Sequence, residues 1–90
     1  MSDVEYQAVT FNVANQNRDN IPAGQYRGHI EWLTVWLHGH AKRSIARCTL
    51  HIERREHPDF FSPKNSMIAV DVDILADVMD GNISYEVSTP

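Results

Sequence analysis

The stretch "ARCTLHIE", residues 46–53, limits this chain more than any other. Ala46, Cys48, Leu50 and Ile52 alternate with Arg47, Thr49, His51 and Glu53. A period of two puts one row against a core and the other in water, the pattern of a half-buried strand. A helical reading through Ala41, Ile45, Cys48 and Ile52 leaves Leu50 off its stripe. The same alternation recurs in "VEYQAVTFNVAN", where Val9, Phe11 and Val13 flank Thr10 and Asn12.

The segment between them, "QYRGHIEWLTVWLHG", reads two ways. As a helix, Tyr26, Ile30, Leu33 and Leu37 share a stripe. As a strand, Gly28, Ile30, Trp32, Thr34 and Trp36 face one way and Leu33, Val35 and Leu37 the other. Ile, Trp, Thr and Val favour sheets, and a glycine in the first turn weakens a helix, so we read a strand. Apolar residues on both faces predict a central strand, or one covered by a second subunit. "HGHAKRS" then becomes a hairpin connection longer than a tight turn. "NQNRDNIPAG" is a polar loop, and "EHPDFFSPKNS" is a second loop with two prolines. "MIAVDVD" reads as a short strand. "DILADVMDG" reads as a helix capped by Asp73, with an Ile74, Leu75 and Val78 stripe and Gly81 at its end. "ISYEVS" is a last strand with Ile83, Tyr85 and Val87 on one face.

About five strands and one short helix follow. The expected fold class is β-rich α+β: a small antiparallel sheet or a partly closed barrel, an OB-like barrel among the candidates. At 90 residues the chain is one domain, residues 1–90.

The single cysteine, Cys48, forms no internal disulfide and fits a reducing compartment. No apolar run approaches the ~20 residues that span a bilayer, and the first residues lack a secretory pattern. The expectation is a cytoplasmic protein, or one made in a host cell's cytoplasm, with no membrane partner. "IPAGQYRGHI" is similar to the IPAG-aromatic entry into a first strand in various small phage-encoded proteins; that resemblance implies no site residue.

The net charge of -4 hides a segregation. Residues 26–64 carry Arg27, Lys42, Arg43, Arg47, Arg54, Arg55 and Lys64 against four acids; residues 65–90 carry five acids and no lysine or arginine. A basic middle and an acidic end can pair within the fold or meet different partners.

Three chemistries are open. His38 and His40, two apart on an extended chain, could share a metal if His51, His57 or Asp59 supplied a third ligand, as a metal-dependent hydrolase needs. Against that, two polar residues flank Gly39 in an exposed turn. No nucleophile elbow, phosphate loop or acid–base set is present, and Cys48 falls on the buried row. Single-stranded nucleic acid is the second option: Trp32 and Trp36 would stack on bases while Arg43 and Arg47 track phosphates. The overall negative charge opposes it.

Protein binding is the reading we favour. It makes the chain a non-enzymatic accessory or inhibitory protein, phage-encoded, acting on a host protein complex, with no cofactor and a homodimer among its forms. Its expected contacts are Trp36, Phe60, Phe61, Arg43, Arg54 and Arg55, with Asp77 and Asp80 as an acidic patch. Phe60 and Phe61, between prolines, make a rigid aromatic display; folding back to close the sheet is their other use.

Overall fold

The computed structural model describes residues 2–62 and 67–87. Five strands form one antiparallel sheet: β1 (Ser2–Val13), β2 (Gly24–Leu37), β3 (His40–Glu53), β4 (Ala69–Asp73) and β5 (Ile83–Val87). Their order is β4-β3-β2-β1-β5. The two short strands are the outer ones, so the sheet is open and the barrel alternative is set aside. A single 3-10 turn (Pro58–Phe60) and a short helix α1 (Leu75–Asp80) complete the described elements. Lys64, counted in the basic middle, lies outside the described residues.

The alternation read from the sequence builds the core. Val9, Phe11 and Val13 of β1 share one face with Tyr26 and Ile30 of β2, Cys48, Leu50 and Ile52 of β3, and Ile83 of β5. Ile74, just ahead of α1, is buried in the same cluster, and Leu75 and Val78 of the helix pack on it. Burial of each such aliphatic side chain is worth about 1.5–3 kcal/mol. Gly28 sits opposite Val9 on one side and Leu50 on the other. A methyl group there would strike the Thr49 carbonyl oxygen and come within 2.6 Å of Phe11 Cε2. The Phe11 ring therefore fills the space a side chain at 28 would need, and glycine is required for packing.

Two expectations about the β2–β3 hairpin change. The connection is a two-residue turn, His38–Gly39, with φ of 51° and 79°. Both values are left-handed, as a type I′ turn demands, and its twist matches that of the strands. His40 to Ser44 belong to β3 and not to a loop. Further along, Glu31 pairs with Arg47 but Trp32 with Ile45, so Ala46 is an extra residue. This bulge reverses the parity of β3. Ala46 is exposed instead of sharing the buried row of Cys48, and Ile45 takes that face.

The asparagine-dense loop after β1 has a job that composition did not show. The Asn17 side chain accepts the Ile21 backbone N–H and donates to the Ile21 carbonyl, both at 2.8 Å. That double bond satisfies a backbone carried inward, and Ile21 is buried. Helix α1 ends as expected at Gly81, in the left-handed conformation (φ 82°). The Gly81 and Asn82 amides donate to the Val78 and Asp77 carbonyls, a Schellman closure. Asp73 caps from one residue further out than a usual N-cap: its Oδ1 accepts the Leu75 amide at 3.1 Å.

Candidate protein-binding surface

The long strands outrun what covers them. β5 pairs with β1 only from Val9 to Val13, and β4 with β3 only from Thr49 to Glu53. Helix α1 lies against β3 and β5. Residues 2–8 of β1, 31–37 of β2 and 40–47 of β3 therefore form a three-stranded arm. It stretches the molecule to 52 Å, against 27 and 24 Å across.

The register assigns the arm's two faces. On the core side run Trp32, Thr34 and Trp36, with Glu5 beside Trp32 on β1, and Ile45, Arg43 and Ala41 on β3. On the other side run Val4, Tyr6, Leu33, Val35 and Leu37, with Lys42 and Arg47. Tyr6 is 68% exposed, Leu37 58%, Val4 53% and Trp36 52%. Val4, Tyr6 and Leu37 line one face of the short arm with Leu33 and Val35, unlike isolated surface hydrophobes, and Trp36 stands exposed on the other.

The two tryptophans differ. Trp32 Nε1 donates to Gln7 Oε1 at 2.9 Å. The Arg43 guanidinium lies 4.1 Å from the Trp32 ring centre and bonds to Glu5 at 3.2 Å. The Trp32 ring is thus capped by a cation, and Trp36 is the one left open. Arg47 emerges on the opposite face, across from Glu31. The four residues expected to grip a nucleic acid are divided between two faces. Tyr6 meets His29 edge-on at 5.8 Å. Its hydroxyl donates to the Glu31 carboxylate, and that bond and the adjacent charge raise its pKa above the usual value for tyrosine.

Of the contacts expected from sequence, Trp36 and Arg43 lie on the arm. Phe61 is buried, and Phe60 packs against the core, the two rings meeting edge-on at 5.5 Å. They close the sheet instead of displaying aromatics. Asp77 is fully buried, which removes it from any surface patch, and Asp80 is held by Arg18 at 2.8 Å. Arg54 and Arg55 follow the far end of β3. The Arg54 amide donates to the Ile68 carbonyl, and the Arg55 side chain lies 3.8 Å from Glu53. Val4, Tyr6, Leu33, Val35 and Leu37 were missed as contacts. The two-faced pattern of β2 was the available signal for three of them.

The histidines do not assemble. His38 is in the turn and His40 starts β3, whereas His51 lies eleven residues further on, about 36 Å along an extended strand. Among the described residues no three His, Cys, Asp or Glu side chains are placed to hold a metal ion. His51 instead joins Asp71 through Nδ1 (2.8 Å) and Glu53 through Nε2 (3.2 Å). Those bonds, Asp71 first, raise its pKa and favour the imidazolium. It borders an open polar groove of about 490 Å³ with Arg27, Arg55 and Glu56. Cys48 is buried, and burial followed by the charge of Asp73 pushes its thiol up to about 11. A thiol held protonated is a poor nucleophile.

No family model, curated protein or solved structure matches this chain. The site is therefore read from its own chemistry. Among the described residues no helix is long and apolar enough to cross a membrane.

Proposed function

We propose that this chain is a non-enzymatic binding module that engages another protein through its three-stranded arm. One observation carries the reading: apolar side chains stand on both faces of a segment that the chain's own helix and edge strands leave bare. With strands about 4.8 Å apart and about 3.3 Å per residue, one arm face covers roughly 300 Å². A stable interface buries about 800 Å² on each partner. One face is too small for that, and both together approach it. The partner therefore grips the arm from two sides, with Trp36 anchoring one side and Tyr6, Val4 and Leu37 the other. An accessory or inhibitory role follows, because an arm seated in a cleft occupies that cleft. The same arm supplies the basis for a homodimer if the partner is a second copy.

The test is affinity capture from the cells that make the protein, comparing the wild type with Trp36→Ser combined with Leu37→Ser. Both positions are exposed, so the fold is expected to survive. A protein retained by the wild type and lost with the double variant is the expected result. Capture indifferent to both substitutions removes the arm from the interface. Light scattering of the purified chain reads whether the captured protein is a second copy, as a mass above 10.3 kDa. Oligo-dT at low salt should leave tryptophan fluorescence unchanged; salt-reversible quenching would replace this reading with nucleic-acid binding.

A further inference from the structure

His51 is held at both of its ring nitrogens. It stands on β3, in the row that alternates with the buried Leu50 and Ile52, directly opposite Asp71 of β4. Its Nδ1 lies 2.8 Å from Asp71 Oδ1, and its Nε2 lies 3.2 Å from Glu53 Oε1. A neutral imidazole has one N–H and one lone pair. In that form one nitrogen would meet a carboxylate oxygen with no proton between them. Only the imidazolium, with a proton on each nitrogen, makes both contacts as hydrogen bonds, and both are then charge-assisted.

The place of Asp71 decides what those bonds fasten. β4 is five residues long and forms an edge of the sheet. Its apolar side chains, Val70 and Val72, are only partly buried, so packing grips it less firmly than the inner strands. Ile74, which follows it directly, is buried and donates its amide to the Cys48 carbonyl at 2.9 Å. Sliding β4 by one residue would turn Val70 and Val72 outward and Asp71 inward. A cation opposite Asp71 opposes that slip.

We propose that His51 is a protonated clasp: its imidazolium fastens the edge strand β4 to β3 through Asp71, and loss of the proton loosens β4. This inference does not depend on the arm or on what the arm binds.

The surrounding charges set the sign. From β4, Asp71 faces the ring, and Asp73 stands opposite Thr49. From β3 comes Glu53. Arg27 of β2 lines the groove that His51 borders, as do Arg55 and Glu56 beyond β3 and the neutral Thr10 of β1. The two arginines oppose a further positive charge, but Arg55 is turned toward Glu53, at 3.8 Å. The bond to Asp71 and then the bond to Glu53 raise the His51 pKa above its usual 6.5; partial burial opposes them, and the charges of the two acids add to the rise. Below pH 6.5 the folded and unfolded chains both carry the proton, and the stabilisation is fully present. Between 6.5 and the raised value the folded chain keeps it and the unfolded chain gives it up. Stability from the clasp is therefore lost as pH rises through the raised pKa.

The experiment is the thermal midpoint of the full chain from about pH 5 to about pH 9, wild type beside His51→Gln. The ring points away from the core, so the variant is expected to fold. His29, His38, His40 and His57 are common to both chains, and their titration cancels in the difference. The wild type should be the more stable by a few degrees at the acid end, and the advantage should vanish toward the alkaline end. Parallel curves would overturn the proposal. Nitrogen-15 NMR of the ring gives a second measurement. At neutral pH both nitrogens of His51 should carry protons, its midpoint should lie above 6.5, and Asp71→Asn should lower that midpoint. A midpoint at or below 6.5, or one that Asp71→Asn leaves unmoved, sinks the clasp. Amide exchange at Val70 and Val72, corrected for the intrinsic rate, should quicken several-fold across the same midpoint in the wild type and not in His51→Gln. Exchange that ignores the His51 titration would mean that the charge does not hold β4, and the proposal fails.

Discussion

Gly28 shows how much one absent side chain can decide. In sequence it is a blemish in a strand, costing β propensity. In the fold it is the floor on which the Phe11 ring lies, with the Thr49 carbonyl closing the other side. Backbone cannot swing away as a flexible side chain can, so Gly28→Ala should cost about 2–3 kcal/mol, the upper end for overpacking. Urea unfolding would read this as a lower midpoint at unchanged slope. A variant as stable as the wild type would mean that Phe11 has another place to go. The core rows of β1 and β3 were legible because alternation reports which side of a strand is wet. The contact between Phe11 and Gly28 was not, because it depends on which strands are neighbours and in what register. Asn17 is similar: its type marks a loop, but its double bond to Ile21 exists only once that loop folds inward.

At the scale of elements, strand identity and most of the facing were written in the sequence, and the bulge in β3 was not. Five strands and one helix were expected and are present. The single extra residue at Ala46 reverses the facing of β3 from Ile45 back to His40, while Cys48, Leu50 and Ile52 keep the core row read from sequence. No propensity flags it, since alanine fits a strand, a bulge or a helix. The bulge also has a protective effect. From residue 40 to residue 48 the outer edge of β3 is unpaired by any described strand, and an open flat edge invites pairing with another chain. A bulge twists that edge, and Lys42, Arg43 and Arg47 place charge on it. Deleting Ala46 would bring Trp32 and Glu31 opposite adjacent residues without changing the face of either partner. The expected outcome is a folded protein with a similar thermal midpoint but concentration-dependent association, measured by sedimentation velocity. A variant that stays at the wild-type mass at every concentration would show that the charges alone guard the edge.

The whole molecule has two ends joined by three continuous strands. One end holds the core cluster, the loop around Ile21 and the short helix; the other is the arm, where few side chains are fully covered. Hydrogen exchange should separate them. The amides of β2 from Tyr26 to Ile30 should exchange last, and those from Leu33 to Leu37 markedly sooner, because local opening follows burial. Uniform protection along β2 in the isolated chain would point to an arm already covered, by a second copy. This division explains what the sequence could say about the site. Apolar residues on both faces of β2 announced a strand needing cover on two sides, and the chain covers only half of it. Asp77 looked like surface, and Phe60 and Phe61 read equally as display or as a closure of the sheet, because their neighbours in sequence are polar and proline-rich. Their neighbours in space are the core.

The length of β2 has a further consequence. Residues near Ile30 answer to folding, and residues near Trp36 answer to whatever the arm meets. The two sets lie on one uninterrupted strand yet share almost no packing. Selection can therefore rewrite the outer half of each long strand while the inner half stands still. A chain built this way can change partners by substitution at its tip, with little effect on its own stability.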